Sequence, residues 1–280
     1  MIHTGSNPPN NPKIKAVAII PARYDSVRLP GKALLEIAGK PMICWVVERA
    51  LAARNVSRVI VATDDQRIFE AVKRTGYEAV MTRSNHASGT DRIAEVAETL
   101  DDAEIIINIQ GDEPTIAPDT IDAAVEALIG DSECGISTTW EPLESADDVL
   151  SPDVVKIVVD DNDRAVYFSR LPVPYPRDAV RQHGGLQKAL ENDSSLSARF
   201  RKHTGLYVYR REVLLAMAGW PQTELEVTES LEQLRALEHG VKIKAIKASA
   251  ASIGVDTVED LIKVRKSLEF RVSSLEGLGA

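Results

Sequence analysis

The sequence predicts a doubly wound, largely parallel α/β sheet with a hairpin or arm inserted in its second half. Three observations carry this expectation. Runs of four or five unbroken apolar residues alternate with stretches of helical periodicity, the pattern of parallel strands covered on both faces. The apolar runs of the first half stop at polar loops rich in charge, where an open parallel sheet places its chemistry. The chain has 280 residues, 44% of them hydrophobic, enough for one large domain without a disulfide or metal staple.

The elements follow in order. Ala16–Ile20 (AVAII) reads as the first buried strand, with Pro21 and a polar loop to about Lys32 behind it. Pro41 opens a helix that carries Ile43, Val46, Val47, Ala50 and Leu51 at helical spacing. Val59–Ala62 is a second strand, stopped by Thr63-Asp64-Asp65 and followed by a helix over Ile68–Thr75. Tyr77–Met81 and a helix near Asp91–Leu100 make a third unit, and Ile105–Ile109 is a strand stopped by Gln110-Gly111-Asp112. In the second half, Val154–Val159 and Ala165–Phe168 pair as a hairpin around Asp160-Asp161-Asn162-Asp163. Pro172 to Lys202, with three prolines and Gly184-Gly185, reads as an excursion with no apolar partner in its own chain. The chain returns in Gly205–Tyr209, a helix around Glu226–His239, a strand at Lys242–Ile246 and a final helix after Asp256. The expected organisation is a disordered tail over 1–13, one domain over 14–270 with an oligomerisation excursion at about 165–205, and a C-terminal tail over 271–280.

Charge and composition exclude several classes. Acidic residues outnumber basic ones 42 to 33, a net charge of −9, which disfavours nucleic acid and anionic membranes as partners. Cys44 and Cys134 form neither a disulfide framework nor a zinc-ligand pair. The first residues, MIHTGSNPPNNPKIK, lack a signal-peptide core, and no apolar run reaches the roughly 18 residues of a membrane span. A cytoplasmic protein is expected.

The loop PARYDSVRLPGKAL sets three cations, Arg23, Arg28 and Lys32, within a ten-residue span just past the first strand's end. An acidic protein that binds a nucleoside triphosphate has to focus positive potential locally, and a loop with free N–H groups at a strand's carboxyl end is a suitable cradle. It is neither a G-x-G-x-x-G nor a Walker A loop. Spacing alone leaves a merely solvated basic loop open. Asp112 stands just past the Ile105–Ile109 strand and suits Mg²⁺, which takes hard oxygen donors and one or two carboxylates. Asp256 is the natural second ligand, although with Glu259 three residues later it reads on sequence alone more readily as a helix cap and capping box.

IPAR-x-x-S-x-R-L-P-G-K resembles the signature of sugar-activating nucleotidyltransferases, and specifically the cytidylyltransferase family for 3-deoxy-manno-octulosonate (Kdo). MTRSNHASGTDRIAEV (81–96), NIQGDEP (108–114), VYFSR (166–170), LEQLRALEHG (231–240) and GVDTVEDL (254–261) resemble further family segments, so the likeness runs from about Val17 to Leu268. Sialate relatives carry a Gly-Gly-Ser-Lys first loop where this chain has Tyr24-Asp25-Ser26-Val27-Arg28, which favours Kdo.

The resemblance implies a nucleotide-diphospho-sugar-transferase-like fold, CTP and an acid sugar as substrates, Mg²⁺ on Asp112 and Asp256, a homodimer, and a product used in lipopolysaccharide synthesis. It implies that Arg23, Lys32, Asp112 and Asp256 form the catalytic set. Arg23, Ser26, Arg28, Lys32, Arg83, Ser88, Gly89, Thr90 and Gln110 are then the nucleotide contacts. Gln110, Arg170, His203, Tyr207, Glu232 and Gln233 line the sugar site. By chemistry, Arg170 suits a carboxylate, Gln110 can both donate and accept at a cytosine edge, and His203 and Tyr207 share a strand face. Each has an ordinary structural reading: Ser88-Gly89-Thr90-Asp91 as turn and cap, Glu232 as solvated helix surface, His203 and Tyr207 as packing. The alternatives are a cytidylyltransferase for another acid sugar, such as an 8-amino analogue or a nonulosonate, and a non-catalytic nucleotide-sugar sensor.

Overall fold

Every second residue of the first strand goes to a different helix layer, and the sheet is built around that alternation. In the computed structural model, which describes residues 15–25, 29–86 and 88–276, β1 spans Ala16–Ala22. Its Ala16, Ala18 and Ile20 face one core and its Val17 and Ile19 the other. A ribbon of β2 (Glu36–Ile37) and β3 (Lys40–Pro41) follows, unassigned from sequence. Then come α1 (Met42–Leu51), β4 (Val56–Thr63), α2 (Gln66–Arg74), β5 (Glu78–Met81), α3 (Gly89–Glu98) and β6 (Ile105–Asn108), as the periodicity predicts. Beyond them lie α4 (Pro118–Gly130), β7 (Cys134–Pro142), α5 (Ala146–Leu150), β8 (Lys156–Val159), β9 (Ala165–Ser169), α6 (Arg177–His183) and α7 (Leu186–Asn192). The chain ends with β10 (Arg201–Arg210), α8 (Arg211–Gly219), α9 (Glu224–Glu229), α10 (Gln233–Glu238), β11 (Lys242–Lys247) and α11 (Val258–Glu276).

The sheet order is β11-β7-β10-β6-β1-β4-β5, with the β8–β9 hairpin attached through β8 to β10. β5, β4, β1 and β6 are parallel, β10 is antiparallel to both β6 and β7, and β11 is parallel to β7. On that path β10 alone runs against the others. One core packs α1, α2 and α4 on the sheet, the other α3, α8 and α10. A third cluster seats Leu261, Val264 and Leu268 of α11 on Ile37, Met42 and Trp45. Among the described residues no helix is long and apolar enough to cross a membrane.

Three expectations are corrected. The excursion after Pro172 does have a partner in its own chain: Ala189, Leu190, Leu196 and Phe200 bury against Leu143 and Val149. At about 1.5–3 kcal/mol for each large side chain taken from water, that contact anchors it locally. The single helix expected around Glu226–His239 is two, broken at Ser230 in the left-handed region (φ 53°). Residues 271–276 continue α11 rather than forming a tail, while 1–13 lie outside the described residues.

Candidate active site

Polar residues converge where β1, β4, β5 and β6 end. Gly31 begins the turn that carries Lys32: its φ is +67°, a region glycine enters without strain, and the Tyr24 ring lies 3.1 Å from where a Cβ would stand. The Gly31 N–H donates to the Tyr24 carbonyl at 2.9 Å, closing the loop. Lys32 Nζ then donates to Asp112 Oδ2 at 2.5 Å and to Asp256 Oδ1 at 3.1 Å. Burial alone would lower the Lys32 pKa, but the two carboxylates outweigh it and hold the ammonium above its ordinary value.

Main chain brings the two aspartates together. A Cβ on Gly111 would meet the Pro21 carbonyl at 2.9 Å, so glycine lets the exit of β6 pack on the exit of β1 and sets Asp112 beside Lys32. The Val255 N–H donates to the Asp112 carbonyl at 2.9 Å and docks Asp256 onto the same spot. The cap of α11 is Thr257, whose Oγ1 accepts from the Asp260 N–H at 3.2 Å while the Asp260 carboxylate accepts from the Thr257 N–H at 3.1 Å. This corrects the reading of Asp256 and Glu259 as the capping pair and leaves the Asp256 carboxylate facing Lys32. Two carboxylates that already clasp one cation fit the donor set of Mg²⁺, which keeps several waters of its own. Among the described residues no group of three or more His, Cys, Asp or Glu could hold a metal. Neighbouring Glu113, hydrogen-bonded by Ser252, is pushed up to about 7, chiefly by burial.

Across the cleft, Ser88 caps α3, its hydroxyl accepting from the Asp91 N–H and the Asp91 carboxylate accepting from the Ser88 N–H, both at 3.1 Å. The ordinary reading of this turn is therefore true, and it also presents a helix N-terminus to the cleft. Arg23 Nη2 donates to the carbonyls of His86 at 2.8 Å and Ser88 at 3.2 Å, strapping the basic loop to the turn. Exposed Arg83 lies 3.3 Å from Glu95, which also holds His86. Arg83 and Ser88 line an open groove of about 910 Å³ beside α3. Ser26 and Arg28 lie outside the described residues.

A cavity of about 220 Å³ joins the nucleotide turn to the second half of the chain. It is lined by Gly89, Thr90, Gln110, Tyr207, Glu232 and Gln233 from the sequence-derived set, and by Asn108, Tyr209, Ser230 and Leu231, which sequence reasoning missed. Asn108 and Tyr209 read there as strand residues, and nothing in the periodicity marks them as lining. Gln110 donates to Asn108 Oδ1 at 3.0 Å, and a Cβ on Gly205 would stand 3.0 Å from Gln110 Cγ. Burial raises the Glu232 carboxyl against the opposing hydroxyl bonds of Thr90 and Ser88. Glu232 thus faces the nucleotide turn and is no solvated helix residue.

Two predicted sugar residues stand elsewhere. His203 supports the cavity from behind, its ring 5.2 Å from Tyr207 and edge-on to Phe168 at 5.0 Å. Thr138 donates its only hydroxyl proton to the Leu206 carbonyl at 2.7 Å, so it accepts at 3.0 Å from His203, whose Nε2 carries the proton. Burial pushes the His203 pKa down to about 3, so the ring is neutral. Arg170 was expected to meet a carboxylate. Instead its guanidinium donates to the carbonyls of Glu229 (2.6 Å), Pro152 (2.9 Å) and Ser230 (3.3 Å); the broken helix end leaves the Glu229 and Ser230 carbonyls without helical partners, and Pro152 offers its carbonyl from the loop after α5.

A cation clasp, a helix N-terminus and a basic loop meeting at the carboxyl ends of parallel strands are what phosphoryl chemistry on a nucleotide requires, and they define an α/β nucleotidyltransferase. A cytidylyltransferase family profile matches residues 17–243. The chain is 48% identical over 258 residues to a 3-deoxy-manno-octulosonate cytidylyltransferase of Trichlorobacter lovleyi, covering 91% of this chain and 99% of the relative. It is 50% identical over 260 residues to the protein of that name in Geotalea daltonii, covering 92% and 100%. Among solved structures it is similar to a CMP:2-keto-3-deoxy-manno-octonic acid synthetase complexed with CTP, at 43% identity, TM-score 0.81 and 92% and 99% coverage. A cytidylyltransferase from Leptospira borgpetersenii, 15% identical with a TM-score of 0.57 and coverage of 92% and 87%, shares the fold. The chain belongs to the 3-deoxy-manno-octulosonate cytidylyltransferase family.

Proposed function

We propose that this enzyme couples CTP to the anomeric hydroxyl of Kdo, giving CMP-Kdo and pyrophosphate. The observation that carries the reading is the clasp of Lys32 between Asp112 and Asp256, with Asp112 two residues past Gln110, which lines the 220 Å³ cavity. Arg23, Arg28 and Lys32 hold the triphosphate and offset the charge that develops as pyrophosphate leaves. Ser88 caps the α3 terminus, Gly89 and Thr90 present its backbone N–H groups, and Arg83 and Gln110 read the pyrimidine edge. Gln110, Tyr207, Glu232 and Gln233 orient the sugar so that its hydroxyl lies in line with the α-phosphorus. Asp112 and Asp256 would hold Mg²⁺, which when bound neutralises phosphate charge and makes the attacking hydroxyl easier to deprotonate. The substrate CTP puts the reaction in the cytoplasm, and the working unit is a homodimer.

Pyrophosphate release with each of the four nucleoside triphosphates and a set of acid sugars tests the reading. Turnover with CTP and Kdo, far above that with ATP or GTP, is the expected result. Preference for an 8-amino analogue or a nonulosonate moves the assignment within the class. Nucleotide binding without turnover on any acid sugar makes the protein a sensor, and equal turnover with all four triphosphates removes the base-reading roles of Arg83 and Gln110.

A further inference from the structure

Arg92 sits in the GTDR segment of α3, less than one turn past the cavity-lining Gly89 and Thr90, and it is completely buried. Its Nη1 donates to Thr82 Oγ1 at 2.5 Å and its Nη2 lies 3.0 Å from Asp64 Oδ2. Among the described residues neither its Nε nor its Nη2 has a hydrogen-bond partner, so the contact with Asp64 is an ion pair. Asp64 follows the last residue of β4 and Thr82 the last residue of β5, and the Thr82 N–H donates to the Thr63 carbonyl at 2.9 Å. One guanidinium therefore fastens the start of α3 to the carboxyl ends of two adjacent strands.

Packing alone does not call for this arrangement. An apolar side chain of similar volume would fill the space without the cost of desolvating a cation, and a buried pair is retained where it specifies one arrangement over others. What this pair specifies is the height and angle at which Ser88, Gly89 and Thr90 stand over the cleft. The Arg23 strap grips the same turn through the backbone carbonyls of His86 and Ser88.

We propose that Arg92 and Asp64 are a positioning pair that sets the nucleotide-reading turn, acting on CTP affinity without touching substrate. The inference rests on the cytidylyltransferase reading above. It is tested with Asp64→Asn, Arg92→Met and Arg92→Lys, measuring CTP binding by calorimetry, KM for each substrate, kcat, and amide exchange over 88–91. Asp64→Asn and Arg92→Met should weaken CTP binding about tenfold, leave the acid-sugar KM and kcat within about threefold, and speed exchange at 88–91. Arg92→Lys should restore part of the CTP affinity. Should Arg92→Met fail to fold, Asp64→Asn decides alone, since it keeps the side chain's shape and Asp64 is partly exposed. Wild-type CTP affinity and exchange in Asp64→Asn would overturn the inference, as would equal weakening of both substrates. Failure of the unmodified protein to bind CTP overturns the functional reading, and this inference falls with it.

Discussion

Asp256 and Thr257 are adjacent residues with separate tasks, and substitution can tell them apart. Thr257 and Asp260 close the capping box of α11, so Thr257→Ala should cost about 0.5–2 kcal/mol of stability with activity kept in the folded fraction. Asp256 is half-exposed and its pair with Lys32 is worth little to stability, under about 1 kcal/mol for a surface ion pair. Asp256→Asn should leave the melting curve of the metal-free protein in place and lower activity by orders of magnitude, with part recovered at high Mg²⁺ or with Mn²⁺. Near-normal turnover at limiting Mg²⁺ would leave Asp112 as the one defensible ligand. His203 makes a second test. Its pKa is about 3 in the folded chain and about 6.5 when unfolded, so the unfolded state binds more protons between these values and His203's contribution falls as pH drops below about 6.5. The slope is up to about 1.4 kcal/mol per pH unit. Glu113, raised to about 7, titrates with the opposite sign over much of the same window, so the parent's stability alone hides the effect. The stability difference between parent and His203→Gln should shrink as pH falls from about 6.5 to 5, read by urea denaturation. A difference independent of pH would mean that the imidazole is solvated.

Among the elements, the β/α units of the first half were legible because each strand is a continuous apolar run and each helix keeps its 3.6-residue period. The same logic found β8, β9 and β11 and missed what tertiary partners decide. Helical periodicity runs through Glu226–His239, yet the chain breaks at Ser230 because Glu229 is claimed by another element: its carboxylate accepts from Ser169 Oγ at 2.7 Å and from the Arg170 N–H at 2.9 Å. That break turns Leu231, Glu232 and Gln233 into the cavity. In the same way, Arg170 carries a family motif legible in the sequence, while the carbonyls that occupy its guanidinium are visible only once the fold is formed. The break at Ser230 is open to test. A left-handed conformation costs a non-glycine residue roughly 1–2 kcal/mol and suits a β-branched one worst. Ser230→Gly should stay within about 1 kcal/mol of the parent, whereas Ser230→Val should lose more than that and raise the acid-sugar KM. Equal stability of the two variants would show that the break is not imposed at this residue.

For the whole molecule, the remaining question is what covers the outer edge of the sheet. β9 is paired with β8 on one side, and among the described residues no second strand pairs along its other side: the Arg164–Lys244 bridge and the Ala245 N–H on the Asp163 carbonyl touch its start, and the Glu229 carboxylate holds Ser169 and Arg170 at its end. Val166 on that strand is 58% exposed, and Leu171 and Tyr175 just after it are 69% and 61% exposed. The segment from Pro172 onward is anchored within its own chain by Leu190, Leu196 and Phe200, so lack of an internal partner no longer argues for assembly. The argument moves to this edge, because an open strand flanked by exposed apolar side chains invites edge-to-edge aggregation unless something closes it. A second copy related by a two-fold axis would close it with the same surface on both sides, which neither a filament nor a loose edge would do. A stable contact needs about 800 Å² from each partner, more than three side chains supply, so β9 and the 171–175 segment should form its centre and not its whole. Sedimentation at micromolar concentration should give a dimer. Leu171→Asp combined with Tyr175→Asp should give a monomer with unchanged circular dichroism, since neither side chain is buried within its own chain and charge at both would have to be desolvated across the axis. A dimer that survives both substitutions would place the interface elsewhere, and a parent chain that sediments as a monomer would leave this edge exposed in solution and end the argument for assembly.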